Sequence, residues 1–102
     1  MTNFHIENFD ELFDAVLKLK SVDDCRKFFE DVCTIKELED ISQRLEVAKL
    51  LKKGYNYQSI SKETGASTAT ISRVNKCINY GSGGYKLVLS ESEGEDKWVQ
   101  KR

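Results

Sequence analysis

Ser67, Thr68, Ala69, Thr70, Ser72 and Arg73 place short hydroxyl- and methyl-bearing side chains and one guanidinium within seven residues. On a helix, such a run can seat deeply in the major groove of DNA. Its hydroxyls then reach phosphates and base edges, and its methyls reach thymine. The amides at the N-terminus of that helix also attract phosphate. Gln58 and Lys62, a short helix earlier, are spaced to reach the flanking backbone. The competing reading is a helix hairpin used only for packing, because Ser and Thr are also common caps.

The elements that must hold these residues are legible in Tyr57–Lys76, YQSISKETGASTATISRVNK. A helix, a turn at Gly65-Ala66 and a second helix within 20 residues is the layout of a helix-turn-helix. A sharp turn asks for glycine, supplied by Gly65. Close approach asks for a small residue on the first helix, supplied by Ser61. Apolar contact between the helices is expected from Ile60, Ala66, Ile71 and Val74.

Charge supports the same half of the chain. The formal net charge is −1, yet residues 1–40 hold five basic and eleven acidic residues, and residues 41–80 hold seven basic and two acidic. That separation, −6 against +5, suggests that the second segment faces a polyanion. Enzyme chemistry finds no matching constellation: His5 is the sole histidine, Cys25 lacks an evident base, and no P-loop, dinucleotide fingerprint or HExxH is present. No metal site or cofactor is expected. Cys25, Cys33 and Cys77 form no CxxC pair and read as reduced, buried thiols of a cytoplasmic protein. No run approaches the ~20 apolar residues of a membrane span.

With 102 residues and no proline, one all-α domain is expected. Apolar periodicity predicts a helix over about 8–20 and a second over about 22–32 opened by Ser21 and Asp24. Thr34 and Glu37 open the longest helix, with a core stripe of Leu38, Ile41, Leu45, Ala48 and Leu51, widened by Val47 and Leu50. Lys52 and Lys53 suit its negative end and Gly54 its stop. Asn56 and Ser67 are expected to cap the two helices of the motif, and Gly81 to leave the second with positive φ. Residues 85–89 fit either a last helical turn or a strand. The domain is read as 1–90, with the helix-turn-helix at about 57–76, and 91–102 as a polar, charged tail.

The segment TIKELEDISQRLEVAKLLKKGYNYQSISKETGASTATISRV resembles the core of the Trp repressor superfamily, and within it the YerC/YecD branch. Its diagnostic pieces are an Arg ten residues after the Thr that opens the long helix, the Leu-Leu-x-x-Gly exit, and Gly-Ala-x-x-Ala-Thr-Ile-Ser-Arg. The resemblance implies an all-α fold of about six helices in an intertwined homodimer. Its two reading heads would engage double-stranded DNA, as in a transcriptional repressor. It further implies a small-molecule pocket at Thr34, Arg44, Arg73, Val74 and Cys77. Val74 and Cys77 replace a Gly and a Ser of the namesake, and the β-branched Val74 intrudes on an aromatic slot. A ligand other than tryptophan is therefore expected, its identity open. The alternative function is a dimeric helical interaction module that does not bind DNA. Its partner surface would use the acidic N-terminal half and Trp98. A large apolar stripe, Phe4, Phe9, Phe13, Val16 and Leu17, is expected to be covered by a second copy.

Overall fold

Capping and apolar spacing divide the chain into helices, and the computed structural model describes them over residues 6–89. Phe4, His5, Trp98 and the 91–102 tail lie outside the described residues. A 3-10 turn at Ile6–Phe9 leads into α1 (Asp10–Val16), followed by α2 (Val22–Val32), α3 (Ile35–Lys52), α4 (Tyr57–Thr64), α5 (Thr68–Tyr80) and α6 (Gly84–Leu89). The described residues contain no strand, and residues 85–89, open in the sequence, are helical. The chain clusters into two compact units, Met1–Leu38 and Glu39–Arg102.

In the first unit the expected helix over 8–20 is shorter. Phe9 offers no side-chain cap to α1, and the amides of Lys18 and Leu19 bond three residues back, to Ala15 and Val16, which tightens the end. Ser21 Oγ accepts the Asp24 amide at 3.0 Å, while Asp24 Oδ2 accepts from Lys20 rather than from Ser21. At Thr34 the capping box is reciprocal: Thr34 Oγ1 accepts from the Glu37 amide at 3.1 Å, and Glu37 Oε1 from the Thr34 amide at 2.8 Å. α1 and α2 contain no buried residue. Among the described residues of this unit, Leu12, Phe13, Leu17 (80%) and Val22 (70%) are exposed, while Phe9 and Val16 are half-buried.

The second unit holds the core. Val47, Ala48 and Leu50 of α3 meet Ile60 of α4, Ala66 of the turn, and Ile71, Val74 and Ile78 of α5. The stripe expected on α3 is displaced. Ile41 and Leu45 are exposed, and the buried face runs through Val47, Ala48, Leu50 and the half-buried Leu51, the side of α3 that shares the buried cluster with α4 and α5. The helix ends as expected at Gly54, φ +90°, with the Tyr55 amide bonded to Leu50 O and the Gly54 amide to Leu51 O. Lys52 departs from expectation: it is buried, and its ammonium donates to the carbonyl oxygen of Leu89 at the end of α6, so it neutralises that helix's negative terminus.

Gly81 also differs from the sequence reading. Its φ is −89°, and the positive φ falls instead at Gly83. Glycine is needed at 81 for space, since a Cβ there would lie 2.4 Å from the Cys77 carbonyl oxygen. The thiols are not buried either: Cys25 and Cys77 are exposed and Cys33 is half-buried. The described residues of the first unit include no buried position, and Cys77 lies outside the buried face of α5, which is taken by Ile71, Val74 and Ile78.

Candidate nucleic-acid interface

The turn between α4 and α5 is fixed by four side-chain bonds that converge on its backbone. Gly65 takes φ +77° and donates to Ser61 O at 2.8 Å. Ser61 Oγ donates to Ala66 O at 2.8 Å, so the small residue at this position bonds across the turn as well as permitting close approach. Thr64 Oγ1 donates to Ile60 O and accepts from the Ala66 amide. Gln43 Nε2, from α3, reaches Thr64 O at 3.2 Å and ties the turn to the helix beneath it. Each of these polar groups has a partner, within the turn or on α3, and together they hold the angle between α4 and α5.

Asn56 Oδ1 caps α4 through the Ser59 amide at 2.8 Å, and Ser67 Oγ caps α5 through the Thr70 amide at 3.1 Å. α5 then presents two opposite faces. Ile71, Val74 and Ile78 go into the core. Ser67, Thr68, Ala69, Ser72 and Arg73 are exposed, and Thr70 is half-buried with its hydroxyl turned toward Ser67 Oγ. Gln58 and Lys62 are exposed on α4. An open groove of about 530 Å³ follows the outer face of α5 along Ala69, Ser72, Arg73, Asn75 and Lys76. Asn75 and Lys76 were not singled out in the sequence. The i, i+3, i+4, i+7 series from Ala69 through Ser72 and Arg73 to Lys76 was the available signal.

The residues expected to line an effector pocket are only partly brought together. A second cavity, about 550 Å³, is bounded by Ile41, Arg44 and Leu45 of α3, Cys77 of α5, the 81–84 connection, and Tyr85 and Val88 of α6. Arg44 and Cys77 share it. Val74 does not: it is 1% exposed within the core, because its position on α5 matches the buried series of Ile71 and Ile78. Arg73 lines the outer groove. Thr34 belongs to the N-terminal unit, where it caps α3. Tyr85, not anticipated from sequence, is the aromatic group of the cavity wall. Burial raises its pKa above the usual value and Cys77 adds to the rise, while the positive charges of Arg44 and Arg73 pull it down.

Among the described residues no helix is long and apolar enough to cross a membrane, and no group of three or more His, Cys, Asp or Glu could hold a metal ion. Helices packed around a locked turn, with one polar outer face on the second helix of the pair, define an all-α protein of the helix-turn-helix class. Residues 7–93 match the family model for Trp repressor protein. The chain is 48% identical over 93 residues to the uncharacterized protein YerC of Bacillus subtilis (strain 168), covering 86% of this chain and 89% of that protein. It is similar to the crystal structure of a TrpR-like protein from Eubacterium eligens ATCC 27750, with 52% identity, a TM-score of 0.78, and coverage of 82% of this chain and 87% of the other. It is also similar to the structure of a candidate Trp repressor from Staphylococcus aureus, with 44% identity, a TM-score of 0.82, and coverage of 92% and 99%. The chain belongs to the Trp repressor superfamily, on its YerC branch, a family of helix-turn-helix regulators.

Proposed function

We propose that this chain is a sequence-specific transcriptional repressor of the cytoplasm that reads double-stranded DNA as a homodimer through α4 and α5. The observation that carries the reading is the division of α5. One face is locked in the core, and the other presents small polar side chains with Arg73 and Lys76 along an open groove. Small side chains let the helix approach base edges, while Lys62, Arg73 and Lys76 supply phosphate-binding charge. The dimer is supported by the N-terminal unit, which exposes Leu12, Phe13, Leu17, Val22 and Val32 and buries nothing in α1 or α2. Apolar surface of that extent in a small protein is usually an association surface. Two-fold symmetry then sets half-sites about one helical turn, ~34 Å, apart.

Arg44 and Cys77, in the cavity of α3, α5 and α6, offer a place for a small-molecule effector. Tryptophan is not that effector in our reading. A pair of arginines could bracket an indole ring, yet Arg44 lines the cavity and Arg73 lines the outer groove. Fluorescence anisotropy on random-sequence duplex as salt is raised tests the DNA reading. A steep loss of affinity is expected. Absence of binding at low salt would favour a helical interaction module.

A further inference from the structure

Thr64 is the last residue of α4, and the final carbonyls of a helix have no partner within it. The Gly65 amide closes back on Ser61 O, which leaves the Thr64 carbonyl to find a donor elsewhere. It finds one in Gln43, 21 residues earlier on α3, whose Nε2 donates to it at 3.2 Å. Only the amide end of a carboxamide can donate to a carbonyl, so the bond also fixes which way round the Gln43 side chain lies. Both residues are half-buried, where a carbonyl without a donor is costly.

Gln43 stands one turn before Val47 on α3, at the end of the stripe that shares the buried cluster with Ile60 of α4 and with Ile71 and Val74 of α5. Apolar contacts are non-directional, so they set what is covered more firmly than the angle at which it lies. A hydrogen bond at the end of the stripe has a preferred length and direction, and it supplies that angular restraint. Ser61 and Thr64 already close the turn by bonds within it. Gln43 adds something further, the pose of the α4–α5 pair on α3.

We propose that Gln43 is a positioning residue for paired DNA reading: through the Thr64 carbonyl it holds the reading head at one angle on α3, and so sets the half-site spacing that the homodimer accepts. The inference rests on the homodimeric DNA reading proposed above and adds to it a residue outside the helix-turn-helix. Once one head is bound, the other meets its half-site at an effective concentration that falls when either head can rock. A lone half-site makes no such demand, because one head can be met at any angle.

The test compares the wild type with Gln43→Met, similar in length but without a donor, on three duplexes. These are the paired site that the wild type enriches from a random pool, the same site with one base pair inserted between its halves, and a lone half-site. Gln43→Met should bind the lone half-site as the wild type does. On the paired site its affinity should fall roughly 5- to 150-fold, as for one ordinary hydrogen bond lost in each of two heads. Its preference for the native spacing over the inserted one should shrink as well. Gln43→Lys, which keeps a donor, should retain that preference, and its loss there overturns the proposal. Wild-type affinity and spacing preference in Gln43→Met also overturn it, as does an equal loss on lone and paired sites, which marks a merely structural role. A wild-type chain that enriches no paired site overturns the homodimeric DNA reading and this inference together, whereas a paired site indifferent to Gln43 overturns this inference alone.

Discussion

Removing the two cations of the α5 groove should flatten the salt dependence of DNA binding by a calculable amount. Arg73 and Lys76 are both exposed and line the same groove, so each is placed to neutralise one phosphate. In a homodimer the double substitution Arg73→Gln with Lys76→Gln deletes four such charges. At ~0.9 per phosphate contact on duplex DNA, the log-log slope should fall by about 3.6. Across a fourfold rise in salt, from about 50 to about 200 mM, the variant should lose roughly 100-fold less affinity than the parent. Fluorescence anisotropy over that range reads the slope directly. A change of about 1.8 instead would mean a single head engages DNA. An unchanged slope would refute the assignment of this face to the phosphate backbone. Glu11→Gln, in the acidic N-terminal unit, should leave the slope as it is.

Ile71→Ala should destabilise the protein by about 2–5 kcal/mol, since Ile71 is fully buried beneath the outer face of α5 and its removal leaves a cavity. Thermal unfolding should show this, and a loss under about 1 kcal/mol would mean that α5 is not seated as described. L-tryptophan should show no micromolar binding by calorimetry, because Arg44 lines the cavity while Arg73 lines the outer groove, leaving no arginine pair to bracket the indole; a micromolar constant would contradict that. Light scattering should give the mass of two chains, and Leu17→Asp, at an exposed apolar position of the N-terminal unit, should shift it toward one. A single-chain mass for the wild type at micromolar concentration would remove the basis for paired heads.

The capping chemistry was legible in the sequence because it is local. Thr34 with Glu37, Asn56 and Ser67 each bond within three residues, so spacing alone locates them. The buried set Ile60, Ala66, Ile71 and Val74 was legible for the same reason, since a short turn leaves few ways to pack two helices. Non-local features were not. Which stripe of α3 is covered depends on residues distant in sequence, those of α4 and α5, so Ile41 and Leu45 fit a core pattern and are exposed. Lys52 looked like a cap for its own helix, yet it bonds a carbonyl 37 residues away. Gly81 carries no sign in the sequence that its hydrogen atoms face the Cys77 carbonyl. On the candidate site, the exposed residues Ser67, Thr68, Ala69, Ser72 and Arg73 could be read from residue types, whereas Val74, expected in a pocket, lies in the core. Tyr85 was missed because residues 81–84 give no hint of how α6 folds back onto α5.

Selection of bound duplexes from a random pool, sequenced after several rounds, tests the central claim most directly. Two paired reading heads predict an enriched site with two-fold symmetry and half-site centres one helical turn apart, ~34 Å or about 10 base pairs. A pool that shows no enrichment, or one enriched in a single unpaired motif, would contradict it.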